Sequence, residues 1–226
     1  MKHEYNLNGT VLSETTVEKD LGVHIDNQLK FSQHINGIVA KANRMIGLIK
    51  ISFESVDKEM FLNLYKTLIH PLLEYCVQAW SPHLQKYINL LENVQRRATR
   101  IVREVKNLDY DERLNYLELP KLEDRRIRGD MILTYRLING KEGIDYQKFF
   151  SLEDHGYDTR GHNMKISKPG QYSDPRLYGF SYRVIDVWND LTPGEVNAAS
   201  TSVFRKLYDE QEEIRQQIKG NSIYQR

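Results

Sequence analysis

The chain has 226 residues, 40% of them hydrophobic and 28% charged, with a net charge of +1. That length allows one sizeable domain or two small ones, and the composition is that of a folded protein. The near-zero net charge excludes a whole-molecule field that would by itself select polyanions. No apolar run reaches the roughly 20 residues of a membrane-spanning helix, so no membrane partner is expected. The start, MKHEYNLNG, has no apolar central run, and no secretory leader is expected there. One cysteine, Cys76, excludes an internal disulfide and a cysteine-rich zinc site, and a reducing compartment is expected. Its apolar neighbours predict a core position rather than a reactive thiol.

In chain order, residues 1–30 read as two or three short strands forming a hairpin or small sheet. Asn8-Gly9 marks one turn, and Leu21-Gly22-Val23-His24-Ile25 a later apolar run. Such a hairpin is marginal alone and needs a surface to pack on. Ser32 is the predicted N-cap of a first helix, in which Ile35, Ile38, Val39, Ala42, Met45, Ile46 and Ile49 recur every three or four residues. That helix should end near Ser52. Ser55 is the predicted cap of the next, with Asp57 and Glu59 in its first turn. Pro71 predicts a kink or short break, and Ser81-Pro82 a stop.

From about His83 to Lys106 the pattern predicts one long amphipathic helix. Ile88, Leu91, Val94, Ala98, Ile101, Val102 and Val105 fall on one side, and Arg96, Arg97, Arg100 and Arg103 on the other. Asp109 caps a short helix broken at Leu119-Pro120. Another runs from about Leu122 to Ile138 and stops at Asn139-Gly140. Its first turns, Glu123-Asp124-Arg125-Arg126-Ile127-Arg128, predict pairing within the helix. Residues 140–180 read as irregular, with one short hairpin. FSYRVIDVWNDLTP at 180–193 predicts a short helix, and Ser200 or Ser202 caps the last one, whose tail from Asp209 is expected to fray. The fold class is therefore mainly α, with a small N-terminal β-hairpin over 1–30, a helical domain over 31–140, and an irregular and helical region over 141–226.

Few residues announce chemistry. There is no glycine-rich phosphate loop, GxSxG elbow or HExxH, and no cofactor is expected. His155 and His162, with Glu153, Asp154 and Asp158, form one local cluster, read as a polar loop rather than a metal site. The acidic pairs Asp111-Glu112 and Glu123-Asp124, and Glu210 with Glu212-Glu213, stand beside basic partners or in the tail. They suit salt bridges better than the two-metal geometry, with ions about 4 Å apart, of polymerases and nucleases. The basic face remains. Between Gln95 and Lys106 there are five basic residues and one acidic one. Arginines on successive turns can follow a phosphate backbone, Gln95 can add a sugar or base contact, and Tyr87, Tyr110 and Tyr116 are candidates for base stacking. A solvated face is the plainer alternative.

Several motifs together carry a family resemblance. KDLGVHIDNQLKFSQHI at 19–35 resembles the segment just after the palm of reverse transcriptases from non-LTR retrotransposons. KANRMIGLI at 41–49, LYKTLIHPLLEYCVQAWSPH at 64–83 and LENVQRRATRIV at 91–102 continue it. So do YDERLNYLELPKLEDRRIRGDMILTYRLING at 110–140, RGH at 160–162 and FSYRVIDVWNDLTP at 180–193. The likeness spans about residues 5–210 and is strongest to jockey- and CR1-like elements. It implies the thumb and the region beyond it, with a helical thumb-like bundle over 31–140 and a hairpin adjoining the palm. The paired palm aspartates and the endonuclease of that family have no counterpart here, so the resemblance implies a catalytically incomplete fragment and no enzyme. It implies RNA or an RNA–DNA duplex as partner, bound by Gln95, Arg96, Arg97, Arg100 and Arg103, a reverse transcriptase palm as a protein partner, and the nucleus or cytoplasm as location. A structural or protein-interaction domain without nucleic-acid binding is the alternative.

Overall fold

In the computed structural model, residues 5–153, 161–168, 170 and 177–223 are described, with side chains as far as residue 215. The protein is mainly helical with short N-terminal hairpins. It divides into two compact units, residues 1–119 and 120–226. The boundary therefore falls at Leu119–Pro120 rather than near 140, because the helix at 122–138 shares its core with later elements.

Unit 1 opens with two antiparallel hairpins rather than one. Strands β1 (Asn6–Leu7) and β2 (Thr10–Val11) flank Asn8-Gly9, and β3 (Val17–Asp20) and β4 (Val23–Asp26) flank Leu21-Gly22. Both turns put two successive residues at positive φ, 50° and 84° in the first and 44° and 88° in the second. That pattern matches the twist of tight hairpins, and Leu21 bears its steric cost where Asn or Asp is usual.

Helix α1 (Ser32–Ser52) is the centre of unit 1. It buries Ile35, Ile38, Val39, Ala42, Ile46 and Ile49, as the spacing predicts, together with His34. Ser32 is not its cap. Phe31 takes that place in a left-handed conformation, and the Ser32 hydroxyl oxygen accepts from Tyr87 at 2.5 Å instead. Helix α2 (Lys58–Leu64) is capped by Asp57, which accepts from the Met60 N–H at 2.8 Å, rather than by Ser55. The predicted break before Pro71 is a π-helical turn, Tyr65–Ile69, leading into α3 (His70–Glu74). Proline supplies no N–H and crowds the carbonyl four residues back, so the ladder widens there.

Cys76 then turns the chain at φ 52° into α4 (Val77–Trp80). It is exposed, which corrects the predicted core position: the tight turn faces outward, and Val77 and Trp80 are buried in its place. Helix α5 (Gln85–Thr99) packs along α1 through Leu91, Val94 and Ala98. Helix α6 (Tyr110–Leu117) starts at the capping box of Asp109 and Glu112 and buries Leu114 and Leu117.

Unit 2 is built on α7 (Leu122–Ile138), which buries Met131, Ile132, Tyr135 and Leu137. Against it lie α8 (Phe180–Arg183), α9 (Ile185–Asn189), α10 (Pro193–Val196) and α11 (Thr201–Ile223). Trp188 and Phe204 are fully buried at its centre, and Tyr135 stacks on Phe204 with centroids 4.5 Å apart. The irregular region contains a single antiparallel bridge, Leu152 to Ile166, among its described residues. Ser200 caps α11 through the Val203 N–H at 3.2 Å, and the helix continues to Ile223 where fraying is predicted from Asp209. The arginines of α7 reach farther than predicted: Arg128 forks onto Asp209 of α11 at 2.6 and 2.8 Å, and Arg126 is buried.

Candidate nucleic-acid interface

The four predicted arginines are all exposed, but they do not ride one helix. Arg96 and Arg97 are on the last turn of α5, Arg100 follows its end, and Arg103 opens a 3₁₀ turn, Arg103–Val105. The helix stops at Thr99 rather than Lys106. Thr99 Oγ1 donates back to the Arg96 carbonyl at 3.2 Å, a local bond that competes with the helical ladder. The apolar stripe that suggested a longer helix is kept by other means. Val102 is extended and Val105 sits on the 3₁₀ turn, and both are fully buried. The Arg103 N–H reaches the Val56 carbonyl at 3.4 Å, which ties this turn to the loop before α2.

Arg113 organises the bend, and its role is not legible in the sequence. It is buried, and its guanidinium donates to Thr99 Oγ1 at 3.0 Å, the Leu108 carbonyl at 2.6 Å and the Arg96 carbonyl at 3.5 Å. A cation thus sits at the carbonyl end of α5, where the helix dipole favours it. Burial is the main cause pulling its affinity for the proton down, and the charge of Arg100 adds to that. In DERLNYL, Arg113 stands after two acids and reads as a surface residue. Its one signal is its place beside Leu114 and one turn before Leu117.

Gln95 is not at the interface. It is fully buried beneath the arginines, where its Oε1 accepts from the Tyr65 hydroxyl at 2.5 Å and its Nε2 donates to the Tyr110 hydroxyl at 3.1 Å. Tyr110 in turn donates to Glu92. Burial, and then Glu92, push the Tyr110 phenol well above its ordinary range, so it stays protonated as this donor. Gln95 is buried because it shares a face of α5 with Leu91 and Ala98.

The tyrosines proposed for base stacking are also committed elsewhere. Tyr87 is buried and covered by the Lys86 ammonium at 4.6 Å. The Tyr110 ring carries the Arg96 guanidinium at 4.7 Å. Tyr116 is exposed, with Lys58 over its ring at 5.3 Å. The edge therefore presents positive charge and no bare aromatic face from these three residues. Arg97, Arg100 and Arg103 have no carboxylate within ion-pair distance among the described residues, and Arg96 bonds Asn93 at 3.3 Å.

Of the histidine loop, Glu153 and His162 lie among the described residues. His162 is buried, its Nε2 meets the Trp188 carbonyl at 3.0 Å, and its Nδ1 accepts from the Met164 N–H at 3.2 Å. Asp154, His155 and Asp158 lie outside the described residues. Among the described residues, no group of His, Cys, Asp and Glu side chains is arranged to hold a metal ion, and no helix is long and apolar enough to cross a membrane. Comparison with known proteins finds no matching family model, curated protein or solved structure.

Proposed function

We propose that this chain is a post-palm, thumb-like portion of a non-LTR retrotransposon reverse transcriptase, and that it binds RNA or an RNA–DNA duplex through unit 1. The supporting observation is the row of exposed arginines at 96, 97, 100 and 103, which lacks acidic partners among the described residues and is held in shape by Arg113. Guanidinium groups without carboxylate partners on an ordered edge suit a phosphate backbone, and each phosphate they neutralise releases counterions. The segments that resemble the family follow its palm, so polymerisation is not assigned to this chain. Grip on the nucleic acid is the activity that remains.

The test is binding to a labelled RNA–DNA hybrid across a salt series, with a variant carrying Arg96→Gln, Arg97→Gln, Arg100→Gln and Arg103→Gln. Wild-type affinity should fall steeply with salt, and the variant should bind more weakly with a salt slope smaller by up to about 3. Equal binding by both proteins at every salt concentration overturns the assignment to these arginines.

A second reading, a protein-interaction domain, is favoured by the first hairpin. Tyr5, Leu7, Val11 and Leu12 are all more than half exposed, at 68%, 62%, 57% and 52%. Apolar side chains along a short strand pair suit a protein surface such as a polymerase palm. Under this reading the chain binds no hybrid at any salt concentration, yet joins a separately expressed palm domain, and Leu7→Lys abolishes the joining.

A further inference from the structure

The β3–β4 hairpin is lightly fastened. Its strands bury one side chain, Val23. Two polar ties accompany it: the Tyr75 hydroxyl donates to the Leu21 carbonyl at 3.0 Å, and the His24 N–H donates to Nδ1 of His34 on α1 at 3.4 Å. A two-stranded hairpin has little stability of its own, so each tie counts. We propose that the second tie is a pH-sensitive latch, in which protonation of His34 frees the β3–β4 hairpin from α1.

The geometry sets the proton. With Nδ1 accepting, the neutral ring carries its hydrogen on Nε2, which is buried without a hydrogen-bond partner in the structure. A second proton can enter only at Nδ1, where its N–H would oppose the His24 N–H that now donates to it. His34 is 4% exposed, and Trp80 of α4 meets its ring edge-on with centroids 5.0 Å apart. An imidazolium there has lost its hydration and gained no acceptor.

The charged groups around α1 do not offset this. On β4 the His24 ring lies 6.3 Å from His34; Asp26 accepts the N–H groups of Gln28 and Lys30 on its Oδ1, and its Oδ2 is buried without a hydrogen-bond partner and is not bonded to His34. On α3, Glu74 is turned to His70 at 3.8 Å. On the π turn there is Lys66, on α5 Lys86 stands over Tyr87, and α1 itself carries Lys41. Burial first, then His24, then Lys41 hold the His34 imidazole below its ordinary value. The ring is therefore neutral near pH 7 and takes up its second proton only below the ordinary histidine range.

The experiment is nuclear magnetic resonance of the full chain between about pH 7.5 and pH 5, the range in which a histidine switch operates. It follows the His34 ring nitrogens, the exchange of the His24 amide corrected for its intrinsic pH dependence, and the contacts of the Val23 methyls with α1. Release should lower protection of the His24 amide at least about threefold and weaken the Val23 contacts, with the midpoint of the His34 titration. His34→Asn keeps an acceptor near the Nδ1 position and cannot charge, so its hairpin should stay docked throughout. A wild-type hairpin that holds while His34 titrates overturns the proposal, as does a His34→Asn hairpin that opens over the same range. Should that variant fail to fold, coincidence of the two midpoints in the wild type decides: release at a midpoint different from that of His34 overturns the latch.

Discussion

Gln95 is fully buried on α5 and bonds to two tyrosines from other elements of unit 1. Its amide oxygen accepts a hydrogen bond from the Tyr65 hydroxyl and its amide nitrogen donates to the Tyr110 hydroxyl, so it links α5 to the π turn and to α6. Replacing it with leucine removes the acceptor of the buried Tyr65 hydroxyl and one donor to the Tyr110 hydroxyl, which keeps its bond to Glu92. Gln95→Leu should therefore cost about 1–3 kcal/mol in urea unfolding, the usual penalty for unsatisfied buried polar groups. Its affinity for an RNA–DNA hybrid, measured where the protein is fully folded, should equal that of the wild type. A selective loss of affinity with unchanged stability would return Gln95 to the interface.

Helices were largely legible in the sequence because their physics is local. The apolar spacing of α1, the capping box at Asp109 and the stop at Asn139-Gly140 all appear where periodicity and capping place them. What escaped depends on tertiary partners. Val102 and Val105 keep a helical rhythm in sequence but reach the core through a bend stabilised by Arg113, fourteen residues after Thr99. Cys76 sits in an apolar stretch, and only the left-handed turn shows that it faces solvent. Arg128 has acids one turn away in sequence, yet it pairs with Asp209, eighty-one residues on. Of the candidate site, the four arginines were found by their charge, and their support was not. The start of α2 offers a clean comparison, since the predicted cap Ser55 and the observed cap Asp57 stand two residues apart. Asp57→Ala should destabilise unit 1 by about 0.5–2 kcal/mol, the usual value of an N-cap bond, and Ser55→Ala should leave it within about 0.5 kcal/mol of wild type. Equal losses in thermal unfolding would contradict the observed Asp57–Met60 bond.

Across the whole molecule, each compact unit has its own core and its own buried histidine beside a buried tryptophan. His34 meets Trp80 in unit 1, and His162 meets Trp188 in unit 2, with centroids 6.0 Å apart. Both imidazoles are held below their ordinary value chiefly by burial; in His162 the Trp188 carbonyl opposes that shift in part. The sign of the consequence is fixed. Between the lowered folded value and the ordinary value near 6.5, the unfolded chain binds more protons than the folded one, so acid favours unfolding. The stabilisation from keeping each ring neutral is complete above about pH 6.5 and is lost as pH falls below it. The slope for each histidine is at most about 1.4 kcal/mol per pH unit. The two tryptophans separate the units, because the chain contains only these two and both are fully buried. In Trp188→Phe and Trp80→Phe variants, the remaining indole reports unit 1 or unit 2 by its fluorescence during urea unfolding. Each unit should lose stability from about pH 6.5 downward, and His162→Asn should flatten the loss in unit 2 while leaving that of unit 1 intact. A unit 2 profile that is flat in the wild type, or that remains steep in His162→Asn, would show that other groups govern its response to acid.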